Sequence, residues 1–160
     1  MTGKLISADR EHFVLATKFS LGAAPRPDTS RTGNSRKNMV ASVEASLKRL
    51  GTDHIDLLWV HFPDELTPMD ELLRGLDDPV SAGRIHHAAL SNFPAWRVSR
   101  AVTLADLKNW APIVGIQHEY SRGATGARRR DARPRGGRRR RTGQDRRGEC
   151  QPAGHEDPRR

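Results

Sequence analysis

Apolar positions along this chain fall into short blocks of two alternating kinds. Four blocks are nearly continuous: His12–Phe19 (HFVLATKF), Ile55–Val60 (IDLLWV), Ile85–Ser91 (IHHAALS) and Pro112–Gln117 (PIVGIQ). Runs of this length predict strands buried on both faces, as in a parallel sheet. Between them apolar residues recur every three or four positions, which predicts helices with one buried face. Val40, Val43, Leu47 and Leu50 make the first such face, with Asn34 or Ser35 as N-cap, Lys48 and Arg49 at the negative end of the dipole, and Gly51 as the stop. Met69, Leu72, Leu73, Leu76 and Val80 make the second. It is opened by Thr67 as hydroxyl N-cap and Pro68 at the first helical position, and closed by Gly83. Pro79 lies inside it and should kink or shorten it, because an interior proline costs about 3 kcal/mol. Pro94 opens a third helix carrying Val98, Val102 and Ala105, flanked by Trp96 and Trp110. Residues 20–34 carry Gly22, Pro25, Pro27, Asp28 and Gly33, the chemistry of a long loop.

The resulting order is β-α-β-α-β-α-β, an α/β class whose strands must pair in parallel through right-handed crossovers. Each strand ends on polar side chains: Lys18, His61, Ser91 with Asn92, and Gln117. In a (β/α) barrel these groups converge on the mouth, where active sites lie. His61 by itself reads equally as a partly buried core histidine or as a catalytic one. Phe62 and Asp64 are placed to line the mouth or to shape its turn. His86 and His87 alternate to opposite faces and are poorly spaced to share one metal, so no metal site is expected there.

Composition changes this picture at one place. A chain of 160 residues makes one domain. No apolar run is long enough to span a membrane, and no leader with a cleavage site is evident. The single cysteine, Cys150, fits a reducing cytoplasm. Residues 1–121 hold 14 Lys+Arg and 14 Asp+Glu, whereas residues 122–160 hold 14 Arg and 5 Asp+Glu and so supply the whole net charge of +9. That last segment contains no Leu, Ile, Val, Met, Phe, Trp or Tyr. It cannot bury enough apolar surface to offset chain entropy and is expected to be disordered. Two origins remain open for it. An arginine-rich arm would bind nucleic-acid phosphates, although no aromatic is interleaved for base stacking. Out-of-frame translation of a GC-rich gene would also yield an Arg, Gly, Ala and Pro mixture without lysine. Cys150 and His155 are too few for a zinc site.

The segments ATKF, GNSRKNMVASVEASLKRLGTDHIDLLWVH, SNF and GIQHEYS resemble the aldo-keto reductase family over residues 12–121. The resemblance implies a (β/α)₈ TIM barrel that moves hydride between NADP(H) and a small-molecule carbonyl or alcohol substrate. It places these strands as the third to sixth of that barrel. Lys18 and His61 resemble the family's catalytic lysine and histidine, and Ser91, Asn92 and Gln117 resemble its contacts to the nicotinamide carboxamide. Two departures accompany these matches. The family's aspartate and tyrosine acid lie upstream of the matching stretch, and Tyr120, the only tyrosine, falls in the EYS motif instead. A complete barrel takes about 250 residues. The chain is therefore expected to be a truncated, inactive member with residues 1–121 as its folded domain.

Overall fold

The computed structural model of the protein describes residues 2–21 and 31–119. The segment 122–160, Tyr120 and most of the 20–34 loop lie outside the described residues, together with what the sequence implies for them. A short helix α1 (Thr2–Ile6) and a 3₁₀ turn (Arg10–His12) lead into β1 (Ala16–Phe19). Then follow α2 (Arg36–Leu50), β2 (Ile55–Val60), α3 (Met69–Ser81), β3 (Ile85–Ser91), α4 (Ala95–Lys108) and β4 (Ile113–Gln117). The strands form one parallel sheet in the order β1-β2-β3-β4. This is the alternating, sequentially ordered sheet of a partial (β/α) barrel. Lys18 stands opposite Trp59, Trp59 opposite Ala89, and Ala89 opposite Gly115. All four strands therefore release their C-terminal ends at one pole.

The helices cover one face of the sheet. Phe19, Leu58, Val60, Ala88 and Leu90 meet Met39, Val43, Leu47, Leu72, Leu73 and Leu76 in a single buried cluster. Gly75 lets α3 approach α2, since a Cβ there would stand 3.1 Å from Met39 Cε. α2 begins where expected: Ser35 Oγ accepts from Asn38 N, and Gly51 closes the helix in the left-handed region at φ 66°. α3 continues through Pro79 and ends at Ser81, with Ala82 N donating to Asp78 O and Arg84 N to Pro79 O. Pro79 is only two residues from the end of α3, so its missing N–H removes one bond from the last turns and leaves the first two intact.

Several sequence expectations shift. β1 starts at Ala16 rather than His12, because Arg10–His12 coils into the 3₁₀ turn and Val14 faces solvent at 82% exposure. The buried face of α2 is centred on Met39, fully buried, rather than on Val40, which is 43% exposed. Polar Asn38, Ser42 and Ser46 occupy that face beside Met39 and Val43. In α4 the buried positions are Ala101 and Ala105, while Val102 is 47% exposed. Thr67 does not cap α3. Pro68 takes the N-cap position, and the Thr67 hydroxyl donates to Asp64 Oδ2 at 2.9 Å.

Two sets of substitutions test this assignment of faces. Met39→Ala and Leu76→Ala should each lower unfolding free energy by about 2–5 kcal/mol through cavity formation. Val40→Ala and Val102→Ala should stay within about 0.5 kcal/mol. Urea denaturation followed by far-UV circular dichroism measures both sets, and equal losses in the two would contradict the packing described.

Candidate functional site

The polar strand ends meet at the C-terminal pole of the sheet. Lys18, one residue before the end of β1, extends its ammonium over Trp59, with Nζ 5.9 Å from the ring centre. It donates to Gln117 Oε1 at 2.5 Å, so side chains from the first and fourth strands meet above the two between them. Ser91 Oγ donates to the same Gln117 oxygen at 3.4 Å. Asn92 Nδ2 donates to Ser91 Oγ and to the carbonyl of His61, each at 3.0 Å. Lys18, Gln117, Ser91, Asn92 and His61 thus form one connected series of hydrogen bonds. The His61 link runs through its backbone, and its ring stands 5.0 Å from the ring of Phe62. Asn92 adopts the left-handed region at φ 62°, which asparagine tolerates better than most residues, and its N–H donates to Gln117 O at 2.8 Å.

Beneath this series lies a second network that holds the loops in place. His61 N donates to Phe19 O at 3.0 Å and approaches Ser20 Oγ at 3.2 Å. Ser20 is buried with φ 113°, a backbone strain of order 1–3 kcal/mol for a residue with a side chain. Three contacts hold it there: its carbonyl accepts from Gly33 N, its hydroxyl donates to Asn34 Oδ1, and the same hydroxyl meets His61 N. Asn34, also buried, donates from Nδ2 to Phe62 O at 2.9 Å. Its backbone N donates to Asp64 Oδ2 at 2.6 Å.

Asp64 gathers this network. Its carboxylate accepts from Asn34 N, Thr67 N, Thr67 Oγ1 and Leu66 N. Burial works to raise its pKa, but the hydrogen bonds, led by that from Thr67 N, outweigh it and hold the carboxyl below the ordinary aspartate value. Gly33 at φ 73° completes the arrangement, since a Cβ there would lie 2.8 Å from Asp64 Oδ2. Arg97 Nη1 donates to the Asp64 carbonyl at 2.9 Å. A cleft of about 400 Å³ opens beside this corner, lined by Asp64, Thr67, Pro94, Trp96, Arg97 and Arg100. None of Lys18, His61, Ser91 and Gln117 borders it, so it is separate from the strand-end series.

Sequence reasoning located the five strand-end residues and missed Ser20 and the bridging part of Asn34. The available signal was a serine directly after a strand, followed by Gly33-Asn34 before the helix. Short polar side chains at such junctions often bond the backbone of a neighbouring loop.

Comparison with known proteins gives a consistent result. A family model described as "Aldo/keto reductase family" matches residues 1–133. Norsolorinic acid reductase B of Aspergillus parasiticus is 40% identical over 97 residues, covering 58% of this chain and 25% of that protein. The aryl-alcohol dehydrogenase [NADP(+)] of Phanerodontia chrysosporium is 36% identical over 120 residues, covering 71% of this chain and 31% of its own length. An uncharacterized oxidoreductase of Bacillus subtilis, YrpG, is 35% identical over 114 residues, 70% of this chain and 35% of that one. The chain thus spans a quarter to about a third of the length of these relatives. Neither the family match nor the relatives support a nucleic-acid-binding protein. No helix among the described residues is long and apolar enough to cross a membrane.

The Asp64 network makes stability depend on acid. A carboxyl whose pKa is depressed by folding contributes stability that is present above its unfolded value and lost as pH falls through the folded one. Unfolding free energy should therefore decline as pH drops from about 5 through 4 and below. Asp64→Asn should be less stable at pH 7 and show a flatter acid limb. Chemical denaturation across that range measures both, and an unchanged acid limb would count against the role given to this carboxylate.

Proposed function

The chain belongs to the aldo/keto reductase family, and on that premise we propose that it forms the carbonyl-facing part of an NADP(H)-linked oxidoreductase acting on small carbonyl compounds and their alcohols. The observation that supports this reading most directly is the hydrogen-bonded series from Lys18 through Gln117, Ser91 and Asn92 to His61 at one pole of a parallel sheet. When bound, the nicotinamide supplies or accepts the hydride. The chain's own residues orient and polarise the reactants. In the aryl-alcohol dehydrogenase that it resembles, the name itself carries NADP(+). The one cysteine suits the reducing cytoplasm in which we place it.

The donor set fits a carboxamide. Asn92 commits Nδ2 to Ser91 and His61, and Gln117 commits Oε1 to Lys18 and Ser91. Both side chains are amides, each with an acceptor oxygen and a donor NH₂, the complement of another amide's NH₂ and C=O. Holding the carboxamide this way selects which ring face meets the substrate. His61 would hydrogen-bond the carbonyl oxygen as negative charge develops on it. Lys18 would stabilise the phenolate form of a tyrosine acid, lowering its pKa from near 10. Tyr120 is the only tyrosine in the sequence, and it follows the β4 end in the EYS motif rather than the position of the family's acid. In this reading the described residues bind and polarise, and they do not by themselves deliver the proton.

Binding and turnover are therefore separable in the test. Trp59, beneath the Lys18 ammonium, reports on the site. NADPH added to the full chain should quench tryptophan fluorescence in a saturable way, and Trp59→Phe should remove most of the change. Gln117→Ala and Asn92→Ala should each weaken binding roughly tenfold, the worth of one or two hydrogen bonds. With NADPH and an aldehyde panel the chain should show no oxidation above background. Quenching that is absent, or that is indifferent to Gln117 and Asn92, would remove the proposal.

A further inference from the structure

At the opposite pole of the sheet, away from the strand-end series, two histidines and an aspartate converge. β2 and β3 pair with Ile55 opposite Ile85, which makes Asp56 and His86 cross-strand neighbours on one face. His54, two residues upstream of Asp56, stacks its ring on His86, with centres 4.6 Å apart and planes inclined by 19°. His86 Nδ1 lies 3.5 Å from Asp56 Oδ1. One candidate ligand atom from each of His54, Asp56 and His86 falls within 4.8 Å of the other two.

The surroundings fix the aspartate in a useful orientation. Asp56 Oδ2 receives both Arg10 Nη2 and Leu15 N, each at 2.7 Å, and this leaves Oδ1 facing the histidines. Burial pushes the Asp56 pKa up, yet the bonds from Leu15 and Arg10 more than offset that, so the group is a carboxylate at neutral pH. Arg10 opposes a second cation at this place. Asp53 counters it, with Oδ1 2.8 Å from His54 Nδ1. The His54 and Asp56 side chains are 14% and 20% exposed, and that of His86 is 48% exposed. Two ligands are thus held firmly and a third stands at an open side that water and an ion can reach.

We propose that His54, Asp56 and His86 bind one divalent transition-metal ion of the zinc class. Zinc bonds of about 2.0–2.2 Å in a tetrahedron set ligand atoms about 3.3 Å apart. The 3.5 Å between His86 Nδ1 and Asp56 Oδ1 is already close to that edge, and ion binding would turn the half-exposed His86 ring out of its stack with His54, so that both lone pairs meet at one point. Two imidazoles and one carboxylate favour zinc over calcium or magnesium, which take all-oxygen sites. A water would complete the shell. The ion would join the starts of β2 and β3 at the pole where barrels keep stability rather than chemistry. This role is independent of the NADP(H) site.

Isothermal titration of zinc chloride into the full chain tests the site, with circular dichroism confirming that each variant is folded. The chain should take up one Zn²⁺ with an affinity of roughly tens of micromolar or better. His86→Ala, at a half-exposed position, should weaken uptake at least tenfold, and Asp56→Asn should do likewise. His87→Ala should not change it, because His87 is exposed on the other face of the same strand. Cobalt substitution should give the intense visible bands of a tetrahedral site without a thiolate charge-transfer band, which separates these ligands from Cys150. Wild-type affinity in His86→Ala, equal loss in His87→Ala, or no stoichiometric uptake by the native chain would each overturn the proposal.

Discussion

Parallel pairing is the constraint on which the rest of this structure depends. A strand that must run alongside its predecessor in the same direction cannot turn back through a hairpin, and needs a crossover that returns the chain to the starting pole. Here each of the three crossovers is a helix, and each helix buries its apolar side on the same face of the sheet. Two poles with different duties follow. Residues separated by up to 99 positions, such as Lys18 and Gln117, are brought into hydrogen-bond distance only because all four strands finish together.

The sequence made this architecture legible where burial is two-sided. β2 and β3 are nearly continuous apolar runs whose bounds match those runs, and β4 lies within one residue of its run although it is not buried as expected, with Val114 and Ile116 more than half exposed. The polar residues at their ends could be recognised because topology, and not local sequence, gives them a common location. Helix faces were less legible. Periodicity seeks large apolar side chains, but α2 buries Asn38, Ser42 and Ser46, and α4 buries Ala101 and Ala105. Asn38 can be buried because its amide donates to Gly33 O, and alanine brings a helix near the sheet without bulk. Neither feature registers in a hydropathy pattern.

What remained hidden depends on register. Along the chain His86 neighbours His87, whereas its neighbours in space are Asp56 and His54. No linear reading supplies the offset between two parallel strands. Ser20 and Asn34 were hidden for a related reason: their partners are backbone groups of other loops, and backbone carries no sequence signature. The corner they build explains how a strained serine persists. Its cost is local, and the bonds that offset it come from both sides of a long loop.

Asp64 has a consequence for how this protein can change over evolutionary time. One carboxylate with four donors makes Gly33, Asn34, Asp64 and Thr67 a single unit of heritable information. Glu65 and Leu66, between them in sequence, lie on the surface and enter the unit only through the Leu66 backbone. Drift should therefore pass freely through the interior of this loop and stall at its anchors. The cleft beside it can acquire new linings while the strand ends stay in place. A barrel rim of this kind separates the text that may be rewritten from the binding that holds the pages.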